Sequence, residues 1–189
     1  MMSLNFFLIS LNCEATMLGA QVATKENFEY TVRQAASAYG VPVALIKATI
    51  KQESDWKPSA YRREPAHNDA SWGLMQVMLG TAKEVTKNKD LTASQLMQPE
   101  FNIYVGTKFL GQLLKKYGGN LKHVIASYNA GSPRFDSKGN YVNQGYVNSV
   151  YNNFLFYQTM ESVRPASKVA SYILPLLAVG AVGIVISRR

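Results

Sequence analysis

The chain has 189 residues, of which 47% are hydrophobic and 17% are charged; this composition excludes a disordered protein and predicts one folded domain with an appendage. Its formal net charge of +8 favours an anionic partner such as nucleic acid, anionic lipid or cell-wall polymer. No run of basic residues is interleaved with aromatic ones, so we expect no nucleic-acid partner. The only cysteine, Cys13, excludes an intrachain disulfide, and two isolated histidines do not make a set of metal ligands. We therefore expect neither a metal nor a cofactor.

The first part of the chain, residues 1–23, is interpreted as an N-terminal extension of unknown role. Its apolar run from Asn5 to Leu11 is short, and no Lys or Arg precedes it, so it fits a secretory signal peptide poorly. Cys13 follows an asparagine rather than a small residue, which disfavours a lipoprotein signal.

The central part of the chain, residues 24–160, is predicted to be one mainly helical domain. The first helix is expected to end before Gly40, and Pro42 stands where a first-turn proline is tolerated as the next helix begins. Prolines and polar residues break the periodicity over Lys57 to Ser71, which predicts a loop with a short hairpin. The helices other than that at Pro42 are expected over Glu26 to Tyr39, Leu74 to Val85, Glu100 to Tyr117, Leu121 to Ala130 and about Asn143 to Met160.

The helix that begins at Pro42 is predicted to end in a carboxyl on an apolar stripe. Val43, Ile46 and Ile50 recur at helical spacing, and Glu53 is the next member of the series. An ionised carboxylate buried without a partner is costly, so such a group tends to keep its proton near pH 7. A neutral carboxyl is what a general acid needs. Taken alone, however, a glutamate at a helix end is more often a capping or ion-paired residue.

Three short motifs in the domain favour a catalytic role for Glu53 over a capping or ion-paired one. In chain order they are Glu53-Ser54, Gly73-Leu74-Met75-Gln76 and Tyr128-Asn129-Ala130-Gly131. Together they resemble the lytic transglycosylase module named after the soluble enzyme, a relative of goose-type lysozyme, and the resemblance runs from about Val41 to Val150. It implies a mainly α, lysozyme-like helical domain that acts on the glycan strands of peptidoglycan.

The resemblance also implies roles for individual residues. Glu53 matches the single catalytic acid of the family. Each of the other positions also has a structural interpretation, since Leu74 and Met75 would be core residues in most helical proteins and Tyr128 is as easily a core aromatic. The residues for which substrate binding is implied are Ser54, Gly73, Leu74, Met75, Gln76, Tyr128, Asn129 and Tyr146.

The resemblance implies that a single carboxyl suffices for cleavage. Glu53 would protonate the oxygen between N-acetylmuramic acid and N-acetylglucosamine, and then take the proton of the C6 hydroxyl of the muramic sugar as that hydroxyl attacks C1. The product is a 1,6-anhydro ring, and the tethered hydroxyl makes a second carboxylate unnecessary.

Two alternatives to transglycosylation stay open. A hydrolase of the muramidase type would need a second carboxylate, and Asp55, Glu64 and Asp69 all lie within 16 residues of Glu53. We expect Asp55 to face solvent and Glu64, near Arg62, to make an ion pair. The other alternative is a catalytically inactive membrane protein that binds peptidoglycan. The patterns A-x-R-x-E at Ala60 to Glu64 and D-A-S-x-G-L-M-Q at Asp69 to Gln76 resemble a variant of the family found in phage and conjugation-associated enzymes.

The C-terminal part of the chain predicts a membrane anchor. Residues 169–187 carry no charge and are followed by Arg188 and Arg189; 19 residues of helix span roughly 28 Å, close to the thickness of a bilayer core. The alternative is a buried core helix, which its glycines and proline disfavour. Residues 161–168 are expected to be a linker. We therefore expect a single-pass protein with its C-terminal helix in a lipid membrane, in a phage virion that acts on the host envelope or, alternatively, in a bacterial cell envelope.

Overall fold

The computed structural model describes residues 28–163. The predicted N-terminal extension, the predicted membrane span at 169–187 and most of the predicted linker lie outside these residues. None of the helices between residues 28 and 163 has the length and apolar character needed to cross a bilayer.

Seven helices and a small sheet make up the part of the chain that the structure describes. The sheet has three antiparallel strands in chain order, β1 (Tyr61–Glu64), β2 (Asp69–Trp72) and β3 (Val77–Met78), with a 3₁₀ turn at Pro65–His67 between the first two. The helices are α1 (28–39), α2 (Val43–Ser54), α3 (Leu79–Thr86), α4 (Ala93–Leu96), α5 (Pro99–Lys116), α6 (Leu121–Ala130) and α7 (Gln144–Ser162).

The core is built around α2, which packs against α7; α6 packs against α7 in turn, and α5 against α6. On the predicted stripe of α2, Ile46 and Ile50 are completely buried. Each contributes about 1.5–3 kcal/mol to stability through burial of its side chain. Glu53, the next position of the stripe, is only partly buried, because α2 reaches the edge of the core there.

A cluster of charged side chains joins the start of α1, the middle of α2 and the end of α7. The Lys47 ammonium lies 2.7 Å from a carboxylate oxygen of Glu29 and 2.6 Å from one of Glu161, and Arg33 lies 2.5 Å from the other oxygen of Glu161. Breaking a buried ion pair is strongly destabilising because one charge is left without a partner. The cluster therefore fixes α7 alongside α2, the helix that ends at the groove described below.

The predicted helix from Leu74 to Val85 is wrong over its first turn. The chain makes a turn and strand β3 before the helix begins at Leu79. Gly73 and Gln76 both have a positive φ, of 71° and 45°, which is incompatible with a right-handed helix. The side chain of Asn102 on α5 replaces the helical hydrogen bonds: its Oδ1 accepts from the Met75 N–H at 2.8 Å, and its Nδ2 donates to the Trp72 carbonyl at 2.8 Å.

Candidate active site

Glu53 is the penultimate residue of α2. The helix stops there because Asp55 and Trp56 both adopt a positive φ, of 51° and 65°, which cannot continue a right-handed helix. The buried hydroxyl of Ser54 donates to the Leu74 carbonyl at 2.7 Å. The end of α2 is thus held against the turn that precedes β3, and the position of the Glu53 backbone is fixed.

The Glu53 carboxyl has an unusual environment for an acidic side chain. Burial raises its pKa from 4.5 to about 7, although the hydrogen bond from Tyr146 and the charge of Arg62 act in the opposite direction. The Tyr146 hydroxyl donates to Glu53 Oε1 at 2.5 Å. Burial also raises the pKa of Tyr146 itself well above its usual value, so this tyrosine is a proton donor at all relevant pH values. Glu53 therefore changes its protonation state near neutral pH.

Tyr128 lies beside Glu53 on α6. Its hydroxyl donates to the Met75 carbonyl at 2.9 Å, and its ring lies on that of Phe109, with 5.3 Å between the ring centroids. The next residue, Asn129, accepts a hydrogen bond through its Oδ1 from Asn143 Nδ2 at 2.9 Å. Both side chains of the Tyr-Asn pair are therefore held in place by neighbours before any ligand arrives.

An open groove passes over Glu53 between the sheet and α6. Of the predicted site residues, Glu53, Gln76, Tyr128 and Asn129 line it together. The groove continues past the end of α6 towards Arg134. The other lining residues near Glu53 are Arg62, Glu64, His67, Ser71, Val77, Met78, Thr81 and Phe109.

The structure places four of the predicted substrate-binding residues beneath the groove. Leu74 and Met75 are completely buried, and Ser54 is 8% exposed. A Cβ added to Gly73 would lie 2.7 Å from Asn102 Nδ2, so this position requires glycine. The structural interpretation of Leu74 and Met75 as core residues matches their burial, because a fully buried side chain cannot touch a sugar. These residues shape the turn below Glu53.

Gln76 and Tyr146 belong neither with the residues that only line the groove nor with those buried beneath it. Gln76 lines the groove, but its Nε2 donates to the carbonyls of Ala60 and Gly73 at 3.1 and 3.0 Å. Its amide nitrogen therefore stabilises the turn. Tyr146 lies behind Glu53 and acts on it through the hydrogen bond described above.

The hairpin contributes groove residues that were not among the predicted site residues. Arg62 Nε lies 2.7 Å from Glu64 Oε1, and the Ser71 hydroxyl donates to the same oxygen at 2.9 Å. The ion pair expected for Glu64 is therefore present. These two bonds hold the pKa of Glu64 below its usual value, and the bond from Ser71 has the larger effect. The alternation of side chains along a strand, applied to the A-x-R-x-E pattern, would have placed Arg62 and Glu64 on one face.

The two other acids near Glu53 have structural roles. Asp55 is exposed, as expected, and pairs with Lys51. Asp69 accepts hydrogen bonds from the backbone N–H groups of Ala70 at 2.6 Å and Gly80 at 2.8 Å. Glu64 is thus the second carboxylate that lines the groove with Glu53. Between residues 28 and 163, no group of three or more His, Cys, Asp or Glu side chains is placed to hold a metal ion.

The class of protein follows from comparison with known families. The family described as Transglycosylase SLT domain matches residues 30–148, more than half of the chain. The chain belongs to this family, and the resemblance found in the motifs is confirmed.

Particular relatives agree with this assignment. The chain is 34% identical over 159 residues to proteins named membrane-bound lytic murein transglycosylase C from Yersinia pestis (strain Pestoides F) and Yersinia pseudotuberculosis serotype O:1b (strain IP 31758). The match covers 76% of this chain and 42% of each relative, so the chain spans less than half the length of these relatives.

A solved structure confirms the fold. The X-ray structure of an inactive glutamate-to-glutamine mutant of lytic transglycosylase Slt from Pseudomonas aeruginosa superposes with a TM-score of 0.57 at 26% sequence identity. The similarity covers 71% of this chain and 24% of that chain. The prediction of a mainly helical, lysozyme-like domain is therefore correct for the described residues.

Proposed function

We propose that the chain is a lytic transglycosylase that cleaves the β-1,4 bond between N-acetylmuramic acid and N-acetylglucosamine in peptidoglycan. The observation that carries this proposal is the state of Glu53: a partly buried carboxyl with a pKa raised to about 7 lies in a groove and receives a hydrogen bond from Tyr146. A general acid works best when its pKa is near the working pH. The family membership supports the proposal.

In the proposed reaction, protonated Glu53 donates its proton to the bridging oxygen as the bond to C1 of the muramic sugar breaks. The Glu53 carboxylate then accepts the proton of the C6 hydroxyl while that oxygen bonds to C1. The proton balance closes, Glu53 is protonated again, and no water is consumed. An intramolecular nucleophile has an effective molarity of up to roughly 10⁵–10⁸ M, so it needs no second carboxylate for activation.

Tyr146 and Tyr128 are proposed to support this cycle in different ways. The Tyr146 hydroxyl donates to Glu53 Oε1 at 2.5 Å, and a hydrogen bond to a carboxylate is stronger than one to a neutral acid. It therefore stabilises the state that follows proton transfer. Tyr128, Asn129 and Gln76 are proposed to bind the sugars, because their side chains line the groove next to the acid.

One observation favours hydrolysis as a second candidate reaction. Glu64 lines the same groove as Glu53, and its pKa is held below the usual value, so it remains ionised when Glu53 is protonated. Two carboxyl groups with opposite pKa shifts are the pattern of a hydrolase acid and base. Against this, Glu64 Oε1 already accepts hydrogen bonds from Arg62 and Ser71.

The products of digestion separate these reactions. Purified sacculi are incubated with the protein, and the released muropeptides are weighed by mass spectrometry. Anhydro-muramyl ends support the transglycosylase, and reducing ends, heavier by one water, support the hydrolase. Glu53→Gln should abolish either activity. The matched control is Glu84→Gln, since Glu84 is exposed on α3 and outside the groove. A protein that binds sacculi but releases nothing would be the inactive binder.

We also propose that residues 169–187 anchor the domain in a lipid membrane, within a phage virion that opens the host wall locally. The support is the uncharged 19-residue sequence and the variant patterns between Ala60 and Gln76. A conjugation or secretion system in a bacterial envelope is the alternative setting. Extraction of membranes with alkaline carbonate tests the anchor: the full chain should stay with the membranes, and a chain that ends at residue 168 should be released.

A further inference from the structure

The Arg62, Glu64 and Ser71 side chains meet on the groove side of the β-hairpin. Residues 62 and 64 are two apart on β1 and therefore lie on the same face of the sheet. Ser71 on β2 is the cross-strand partner of Arg62, and all three side chains line the groove with Glu53. The arrangement thus follows from the register of the hairpin.

Hydrogen bonds to the Glu64 carboxylate hold these three side chains together. Glu64 Oε1 accepts from Arg62 Nε at 2.7 Å and from the Ser71 hydroxyl at 2.9 Å. The Glu64 side chain is 21% exposed, whereas that of Arg62 is 64% exposed. Glu64 is therefore the anchored partner, and it holds an arginine that would otherwise move freely in solvent.

The groups that face Glu53 come from four elements. Tyr146 on α7 and Tyr128 on α6 are neutral, because burial raises the pKa of both hydroxyls well above the usual value. On the hairpin lie Arg62 and Glu64, and in the 3₁₀ turn lies His67. On α2 itself, Lys51 is exposed and pairs with Asp55, the exposed residue that follows the helix.

Arg62 and Glu64 act on Glu53 in opposite directions. The charge of Arg62 lowers the pKa of Glu53, and the charge of Glu64 raises it. At Glu53 the two effects cancel only in part, because that of Arg62 is the larger. The cation is nevertheless kept near the carboxyl that changes its charge during the proposed reaction.

We infer that the Arg62–Glu64 pair is a positioning unit for Glu53, in which Glu64, itself held by the Ser71 hydroxyl, keeps the Arg62 guanidinium at the groove and partly compensates its charge. Glu53 can then begin the reaction as a neutral acid and have a cation near it once it has become a carboxylate. This inference rests on the proposed role of Glu53 as the acid. It assigns Glu64 to positioning, and hence not to activation of water.

The test is the pH dependence of the reaction in single and double variants of the full chain. The acid must be protonated, so activity is lost as the pH rises through the pKa of Glu53. Glu64→Gln removes the charge that raises this pKa, and the loss should move to lower pH by about half a unit. Arg62→Gln should move it to higher pH by a similar amount. In the double variant the two shifts should cancel in part.

Controls separate this role from a purely structural one. Arg63→Gln removes a positive charge from the neighbouring position of β1, which points to the other face of the strand, and should leave the pH profile unchanged. If Arg62→Gln fails to fold, Arg62→Lys keeps the charge and should keep the wild-type profile. A structural role alone would lower the thermal stability without shifting the profile in opposite directions.

A second measurement keeps this inference distinct from the proposed function. The titration of the Glu53 carboxyl, followed by carbon NMR in the absence of substrate, should show the same opposite shifts whatever the products on sacculi are. Shifts in the same direction, or no shift in either variant, would overturn the inference. So would a complete loss of activity in Glu64→Gln with an unchanged Glu53 titration, because Glu64 would then act in the chemistry itself.

Discussion

Tyr146→Phe tests the account of Glu53 most quantitatively, because it removes one hydroxyl and leaves the ring in place. In the wild type this hydroxyl donates to Glu53 Oε1 at 2.5 Å and lowers the pKa of the carboxyl, against the larger effect of burial. Without it, the buried carboxylate loses a charge-assisted hydrogen bond. The pKa of Glu53 should therefore rise above the wild-type value of about 7.

The magnitude follows from the strength of such a bond. A hydrogen bond to a charged group contributes about 1.5–3 kcal/mol, and one pKa unit corresponds to about 1.36 kcal/mol, so the pKa should rise by about one to two units. Since the protonated acid is the active form, the loss of activity at high pH should move upward by the same amount. At pH values below this loss of activity, the rate should fall by about tenfold or more relative to the wild type, because the carboxylate formed after proton transfer is less stabilised.

The assay is the rate of muropeptide release from sacculi between pH 5 and 10, with the Glu53 titration followed by carbon NMR. Tyr151→Phe is the matched control, because Tyr151 lies on the same helix but is not in contact with the groove. If the pH at which activity is lost on the alkaline side is unchanged or lower in Tyr146→Phe, the proposed role of the hydrogen bond is refuted.

Further predictions concern stability. Because the pKa of Glu53 is raised from 4.5 to about 7 on folding, the folded state holds the proton more tightly. The free energy of unfolding should fall by about 3 kcal/mol as the pH rises from below 4.5 to above 7. Glu53→Gln should lack this loss, so its melting temperature should exceed that of the wild type at pH 8 but not at pH 4; equal melting temperatures at both pH values would contradict the raised pKa. Gly73→Ala should destabilise the fold by about 1–3 kcal/mol, since φ is +71° and the added Cβ would lie 2.7 Å from Asn102 Nδ2. Gly145→Ala, where no heavy atom lies within 4 Å of the added Cβ, is its control, and denaturant unfolding measures both.

Hydrophobic periodicity predicted most of the helices, including α2, although all of residues 44–50 of that helix are buried and not one face alone. The stripe of α2 and its charged last member were visible in the sequence, because Ile46, Ile50 and Glu53 recur at helical spacing. Periodicity failed at Leu74 to Met78, where a turn and a strand replace the first helical turn. Asn102, 27 residues away from Met75, holds that turn. A contact at this distance along the chain leaves no periodic signal.

The candidate site was likewise predicted only in part from the sequence. Motifs predicted Glu53 and the Tyr-Asn pair as site residues, and all three line the groove, but the motifs did not distinguish residues that line the groove from those that build its floor. Met75 belongs to the floor, since it is completely buried and its carbonyl accepts the Tyr128 hydrogen bond. The pairing of Arg62 with Glu64 was predicted from their closeness in the sequence. The hydrogen bond from Ser71 to Glu64 depends on the register of the hairpin, which the sequence alone did not fix.

The central claim is that Glu53 alone serves as acid and then as base. The most direct test is the mass of the muropeptides released from purified sacculi by the full chain and by Glu53→Gln. The wild type should release anhydro-muramyl ends, and the variant should release nothing. Reducing ends from the wild type, heavier by one water, or release by a correctly folded Glu53→Gln variant, would contradict this claim.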